Sequence, residues 1–126
     1  MTAPVVLLVD DNEDCRIIYG ATLRHAGYTV HMAVDGIQCL SSVKENAPDL
    51  ILLDIGMPRM DGMAALEQLK GDPQTAEIPV VAVSARVGKD RHEAVLKAGF
   101  TEVLLKPASP AEILASVKRH APIEPD

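Results

Sequence analysis

The sequence has almost no aromatic residues: Phe and Tyr together make up 2% of its 126 residues, and Trp is absent. Its hydrophobic content is nevertheless 48%, with 24% charged residues, which is typical of a packed domain and excludes a disordered chain. The core must therefore consist of aliphatic side chains. The length corresponds to one domain, and we expect it to occupy residues 1–126, with a core at about 4–120 and a tail or linker start at 121–126.

Other absences restrict the function. No apolar run approaches the roughly 20 residues that span a bilayer. Cys15 and Cys39 have neither CxxC nor disulfide-rich spacing, so we expect reduced thiols, buried or half-buried in helices. Twelve basic residues against 18 acidic ones give a formal charge of −6, which disfavours direct binding to nucleic acid or to an anionic membrane. These features predict a cytoplasmic domain.

Short apolar runs alternate with helical patterns along the chain. The runs are Val5–Val9, Leu50–Leu53, Val80–Val83 and Val103–Leu105, whereas Tyr28–Ala33 alternates apolar and polar residues. The helical patterns are Asn12–Ala26, a helix capped by Asp35, Gly62–Leu69, Asp90–Ala98, and a helix from the Ser109 capping box to His120. Five strands alternating with five helices predict a doubly wound α/β domain, whose parallel sheet is covered on both faces and has its second strand at an edge.

Polar residues follow the strands at positions that a parallel sheet brings to one edge. Asp10 and Asp11 follow the first strand, Asp54 ends the third, Ser84 follows the fourth and Lys106 follows the fifth. Two like charges about 4 Å apart repel by about 4 kcal/mol at an effective dielectric constant of about 20, so either the carboxyl pKa values rise or a cation lies among them. Oxygen ligands without His or Cys favour Mg²⁺, with Mn²⁺ as a possible substitute.

An Mg²⁺ ion with open coordination positions suits phosphoryl oxygens. Lys106 and Ser84 are suitable partners for a phosphoryl group, one as a point charge and the other as a hydroxyl. Asp54, at the tip of a central strand, is then the natural nucleophile.

Four motifs together resemble the receiver domain of two-component response regulators, of which the chemotaxis regulators are members. They are VDDN (Val9–Asn12), LLDIGMPRMDG (Leu52–Gly62), VSA (Val83–Ala85) and LLKP (Leu104–Pro107), in the order and spacing of that family. The resemblance extends over about residues 4–120. It implies a flavodoxin-like fold with strand order 2-1-3-4-5.

The resemblance also implies a metal and phosphoacceptor site. Asp54 would accept a phosphoryl group from the phosphohistidine of a histidine kinase or a histidine phosphotransfer protein. Asp11 and Asp54 would bind Mg²⁺ directly with the backbone carbonyl of Gly56, and Asp10 would act largely through a water. The protein would thus catalyse its own phosphorylation and dephosphorylation without being an enzyme that turns over an external substrate.

The same family pattern assigns the switch. Lys106 would pair with Asp54 and then with the phosphoryl group, and the Lys106–Pro107 peptide bond would be cis. Ser84 would move to hydrogen-bond the phosphoryl oxygen and would shift the loop that begins at Ala85. The added charge and acceptor oxygens would then change an existing equilibrium between two loop arrangements and so change the binding of a downstream target, whose identity the sequence does not indicate.

A second surface is predicted on the first helix. Cys15 and Ile18, one turn apart and close to Asn12, would form a small apolar patch beside the acidic pocket on which the phosphodonor docks.

Three positions depart from the family pattern. Val103 replaces the usual aromatic residue or His, so we expect switching through loop or helix rearrangement. Ala108 stands where an aromatic residue is frequent, which predicts a more open end of the pocket. Gly56 has no side chain to cover the phosphoryl group, which predicts a shorter-lived phosphorylated state than in a Gly56→Lys variant.

Three other functions compete with this interpretation. An aspartate-nucleophile phosphatase would need a second acid two residues after its nucleophile, where this chain has Gly56. A flavodoxin-like cofactor module would need backbone donors and hydroxyls after the first strand, where this chain has acids. A degenerate receiver, acting as a binding module independent of phosphorylation, would not need the full set of acids with Ser84 and Lys106.

Overall fold

A computed structural model describes residues 3–55, 62–84, 93–95 and 97–123 of the chain. The strands are β1 (Val5–Val9), β2 (Thr29–Ala33), β3 (Leu50–Asp54), β4 (Val80–Ser84) and β5 (Glu102–Leu105). The helices with defined bounds are α1 (Glu13–His25), α2 (Gly36–Glu45), α3 (Gly62–Gly71) and α4 (Pro110–His120). Residues 93–95 and 97 are also helical, within the helix predicted between the fourth and fifth strands.

The strands form one parallel sheet in the order β2-β1-β3-β4-β5. The predicted doubly wound fold and strand order are confirmed, and β2 lies at an edge as its alternating pattern indicated. In the register of the central strands, Val9 lies beside Leu53, and Asp54 lies beside Val83. The carboxyl ends of β1, β3 and β4 therefore meet at the same edge of the sheet.

The sheet separates two clusters of buried, mainly aliphatic side chains. Leu7 and Leu53 belong to one cluster and Leu8 and Leu52 to the other, and all four side chains are at most 1% exposed. Alternate residues of a strand point to opposite faces, so burial of every residue requires helices on both sides of the sheet. Burying each such leucine contributes about 1.5–3 kcal/mol, so the core is stabilised mainly by aliphatic side chains.

Capping side chains fix where the helices begin. Asn12 accepts a hydrogen bond from the backbone N–H of Cys15 at 3.0 Å, so this residue is the cap of α1 and not its first helical residue. Ser109 caps α4 by accepting from the N–H of Glu112 at 3.1 Å. These side chains satisfy backbone donors that a helix leaves without partners in its first turn.

The packed region extends beyond α4. Ala121 is buried, and its carbonyl accepts a hydrogen bond of 2.7 Å from the Tyr28 hydroxyl. Ala121 therefore belongs to the packed core. None of the described helices is long and apolar enough to cross a membrane.

Candidate functional site

Three carboxylates converge where β1 and β3 end. One oxygen each of Asp10, Asp11 and Asp54 lies within 4.8 Å of the other two. Asp10 and Asp54 are buried, at 2% and 5% exposure, whereas Asp11 is exposed. The site thus has a buried floor and a side open to solvent, which suits a partly hydrated cation.

The turn from β1 into α1 holds Asp10 in place. The N–H of Asn12 donates to Asp10 Oδ1 at 2.9 Å, and the Arg16 guanidinium donates to the Asp10 backbone carbonyl at 2.7 Å. The N–H of Asp10 in turn donates to the carbonyl of Ala33 at the end of β2. These bonds fix the acid relative to both the sheet and α1.

Lys106 reaches the pocket from the end of β5. Its Nζ lies 3.0 Å from Asp54 Oδ1. The contact is an ion pair in which the ammonium lies within hydrogen-bonding distance of a buried carboxylate oxygen. A carboxylate has about four lone-pair sites, so Asp54 can accept a further positive partner beside Lys106, as a bound cation would be.

The environment changes the pKa of both groups. Burial raises the pKa of Asp54 to about 6; the contact with Lys106 opposes this shift and the charge of Asp10 adds to it. Burial lowers the pKa of Lys106, but its interaction with Asp54 outweighs this effect, so the net shift is upward. Lys106 is therefore a firmly protonated partner for a carboxylate that is costly to ionise.

Ser84 lies at the same edge. It is the last residue of β4 and is 6% exposed, and its backbone carbonyl accepts from the N–H of Lys106 at 2.7 Å. The Lys106–Pro107 peptide bond is cis, as the resemblance implied. The predicted site residues Gly56 and Ala85 lie outside the described residues.

The predicted docking residues lie in the N-terminal part of α1 and at its cap, close to this pocket. Asn12 is exposed, and Ile18 is 50% exposed. Cys15 is half-buried against the sheet, and burial and the charge of Asp10 raise the pKa of its thiol. Ile17, which the sequence analysis did not select, is even more exposed than Ile18, at 57%. In the sequence, the adjacent pair Ile17-Ile18 in the helix that follows the acidic pair could have indicated that Ile17 also belongs to this surface.

The prediction of an open end beside Ala108 is wrong. Ala108 is only 6% exposed, and Tyr19 of α1, itself 8% exposed, packs in the same cluster. The Tyr19 hydroxyl donates to the Ala108 carbonyl at 2.7 Å. The small side chain at this position therefore adjoins a ring that comes from another element. Val103 is half-buried and packs against the opposite cluster.

This fold and site define a class of signalling domain, and the comparisons agree with it. Residues 6–118 match the family model described as "Response regulator receiver domain". The chain therefore belongs to the response regulator receiver domain family of two-component signal transduction. Receiver domains of this family typically bind Mg²⁺, interact with histidine kinases and are generally not classed as enzymes.

Curated relatives and solved structures are similar to the chain. It is 42% identical over 118 residues to the transcriptional regulatory protein PrrA of Mycobacterium tuberculosis, covering 94% of this chain and 50% of PrrA. It is 34% identical over 113 residues to the response regulator MprA of Mycobacterium sp. strain KMS, covering 90% of this chain and 48% of MprA. The chain thus spans about half the length of these relatives.

Two crystal structures illustrate the structural similarity. A putative response regulator from Chloroflexus aurantiacus superposes with a TM-score of 0.88 at 28% identity, covering 95% of this chain and 98% of the other. The receiver domain of the sensor histidine kinase PA1611 from Pseudomonas aeruginosa superposes with a TM-score of 0.86 at 31% identity, covering 95% and 98%. The latter was solved with a magnesium ion coordinated in its active-site cleft.

Proposed function

We propose that Asp54 is the phosphoacceptor and takes a phosphoryl group from the phosphohistidine of a histidine kinase or histidine phosphotransfer protein. One observation carries the proposal: three carboxylate oxygens within 4.8 Å of one another lie beside an ammonium group 3.0 Å from Asp54. Acids alone would repel one another. Acids arranged around a lysine at the edge of a parallel sheet form a pocket for a cation and a phosphoryl group.

The donor set fits Mg²⁺, or Mn²⁺ in its place. Asp11 and Asp54 would bind the ion directly, Asp10 largely through a water, and the Gly56 carbonyl would complete the protein ligands, as the family pattern implies. The closeness of the three carboxylate oxygens, two of them on buried side chains, supports this assignment. When bound, the ion would neutralise charge on the carboxylates and on the phosphoryl oxygens.

The chain's own groups account for the transfer. Asp54 must be ionised to attack phosphorus; an oxygen of its carboxylate forms the new P–O bond as the P–N bond breaks, and the electron pair leaves with the imidazole. Lys106 keeps the carboxylate ionised against the effect of burial and then pairs with the phosphoryl group. The hydroxyl of Ser84 would donate to a phosphoryl oxygen and shift the loop that begins at Ala85.

The surface on α1 is proposed as the docking site of the donor. Ile18 and Cys15 lie on the helix that begins two residues after Asp11, and Ile17 enlarges the exposed apolar area. An apolar patch next to the acceptor would orient a donor without competing for the charged groups.

We also propose a location and a class of binding partner for the chain. Residues 1–126 would form one receiver domain that acts in the cytoplasm, binds a protein target and, with a charge of −6, does not itself bind nucleic acid or membrane. PrrA is named a transcriptional regulatory protein, so a DNA-binding output elsewhere in a longer protein is compatible with this role. The alternatives of a phosphatase or a degenerate receiver are less well supported because the full set of acids surrounds Lys106 and position 56 is not acidic.

The test is phosphorylation in vitro. The wild-type protein is incubated with Mg²⁺ and acetyl phosphate, and its intact mass is followed beside those of the variants Asp54→Asn and Asp14→Asn. We expect one added phosphoryl group on the wild type and on Asp14→Asn, whose exposed acid lies outside the pocket, and none on Asp54→Asn. A phosphoryl group on Asp54→Asn, or none on the wild type, would contradict the proposal.

A further inference from the structure

A buried hydrogen bond connects α1 to the loop that follows Lys106. The Tyr19 hydroxyl donates to the backbone carbonyl of Ala108 at 2.7 Å across 89 residues of sequence. The distance is near the optimum for an O–H···O bond. Both residues are buried, so loss of the donor would leave the carbonyl without this partner in an apolar environment.

The loop from Lys106 to Ser109 is held by hydrogen bonds at both of its ends. Its first residue donates to the Ser84 carbonyl, and Ser109 is already the cap of α4. Between them, Pro107 has no N–H to donate. Tyr19 attaches the middle of this loop, at Ala108, to a rigid helix.

The hydrogen bond from Tyr19 to Ala108 connects the part of the site that carries Asp10 and Asp11 with the part that carries Lys106. α1 follows directly on the turn that carries Asp10 and Asp11, and the loop follows directly on Lys106. A lysine is a point charge on a flexible stem, so the position of its ammonium depends on where its backbone is held. The Lys106 Nζ is 3.0 Å from Asp54 with the loop in this position.

We propose that Tyr19 is a positioning residue of the phosphoryl-transfer site: by holding the carbonyl of Ala108, it sets the distance between the Lys106 ammonium and Asp54. The proposal rests on the proposed roles of Asp54 and Lys106. It also gives a reason for the small residue at position 108, because Ala108 leaves room for a ring that reaches the loop from α1.

Tyr28 offers a matched control. Its hydroxyl also donates to a buried backbone carbonyl at 2.7 Å, but that carbonyl belongs to Ala121, beyond the other end of α4. Tyr19→Phe and Tyr28→Phe each remove one hydroxyl and keep the ring, so both should fold and lose similar stability. Only Tyr19→Phe should change the site.

The experiment measures the rate of phosphorylation by acetyl phosphate and Mg²⁺ in both variants and in the background of Lys106→Ala. Loss of one hydrogen bond to the loop should slow Tyr19→Phe by about threefold to tenfold and leave Tyr28→Phe close to wild type. In the Lys106→Ala background, Tyr19→Phe should cause no further slowing, because the group that it positions is gone.

A second measurement does not depend on phosphorylation. The NMR signal of the Lys106 side-chain nitrogen, assigned by its loss in Lys106→Ala, should move in Tyr19→Phe and not in Tyr28→Phe. An unchanged rate and signal in Tyr19→Phe, or equal slowing with and without Lys106, would overturn the proposal. A wild-type protein that takes up no phosphoryl group would overturn the proposed function and this inference with it, whereas a phosphorylated wild type with an unaffected Tyr19→Phe would overturn the inference alone.

Discussion

The charge on Asp54 should destabilise the metal-free protein at neutral pH. The pKa of this carboxyl is raised from 3.8 to about 6 in the folded chain. Between these two values the folded state retains a proton that the unfolded state has released. Stability therefore falls as the pH rises from about 4 to about 6 and then remains at the lower level, because above pH 6 the carboxylate is charged in both states and buried in one.

The magnitude follows from the shift. A change from 3.8 to about 6 corresponds to about 3 kcal/mol, and solvent screening is small because Asp54 is only 5% exposed. Asp54→Asn has nearly the same shape without the charge. We therefore expect this variant to be more stable than the wild type by about 3 kcal/mol above pH 7, or roughly 10 °C in Tm for a domain of this size, and no more stable than the wild type below pH 4.

The assay is thermal or urea denaturation from pH 4 to 8 with a chelator present. Asp14→Asn, which removes an exposed acid of α1, should follow the wild type throughout. Addition of Mg²⁺ should stabilise the wild type according to the ratio of ion concentration to Kd, and it should stabilise Asp54→Asn less. The difference in stability between the two proteins at neutral pH should therefore become smaller. A difference between wild type and Asp54→Asn that is the same at pH 4 and pH 8 would refute the reasoning.

Two further predictions concern α3 and α1. In α3, a Cβ added at Gly62 would lie 2.9 Å from the Asp54 carbonyl oxygen and 3.1 Å from the Ile55 Cα, both backbone atoms, so Gly62→Ala should cost about 1–3 kcal/mol in urea denaturation. Gly71→Ala, at the other end of the same helix, meets nothing within 4 Å and should be neutral or stabilising by up to about 1 kcal/mol; equal effects would contradict the steric argument. On α1, Ile18→Asp should slow phosphorylation by a histidine kinase severalfold and leave phosphorylation by acetyl phosphate unchanged, whereas an unchanged rate with the kinase would exclude this docking surface.

The fold could be predicted because its signals are local. Each buried strand is a short aliphatic run, and helix starts are marked by caps such as Asn12 and Ser109, whose side chains make the expected bonds. The position of β5 at an edge had no such signal. Leu104 and Val103 pack against opposite clusters, and Glu102 is bonded by Ser116 and Arg119 of α4. Both faces of this edge strand are therefore partly covered, with all four residues half-buried, and its apolar sequence resembles that of an interior strand.

The set of site residues could be predicted for a different reason. In a parallel sheet with short strands, the residues that follow the strands lie along one edge. The strand order that the resemblance implied makes β1 and β3 neighbours, which brings Asp10 and Asp54 together, and it places β5 only one strand further on, within reach of the long Lys106 side chain. Their burial could not be predicted in the same way. Asp10 and Asp54 are buried while the adjacent Asp11 is exposed, because the turn into α1 directs these neighbours differently, and that direction depends on bonds such as the one from Arg16.

The prediction of an open pocket end beside Ala108 was wrong because it compared this single position with the family pattern. A small residue where relatives carry an aromatic one predicts a cavity only if no other element supplies the missing volume. Here the Tyr19 hydroxyl bonds to the Ala108 carbonyl from 89 residues away, and both residues are buried in the same cluster, although no local pattern connects the two positions. Because the tyrosine both packs beside Ala108 and holds its carbonyl, replacing Ala108 alone by a large ring should disturb the Lys106 loop instead of restoring the family arrangement. The two positions therefore have to be interpreted as a pair.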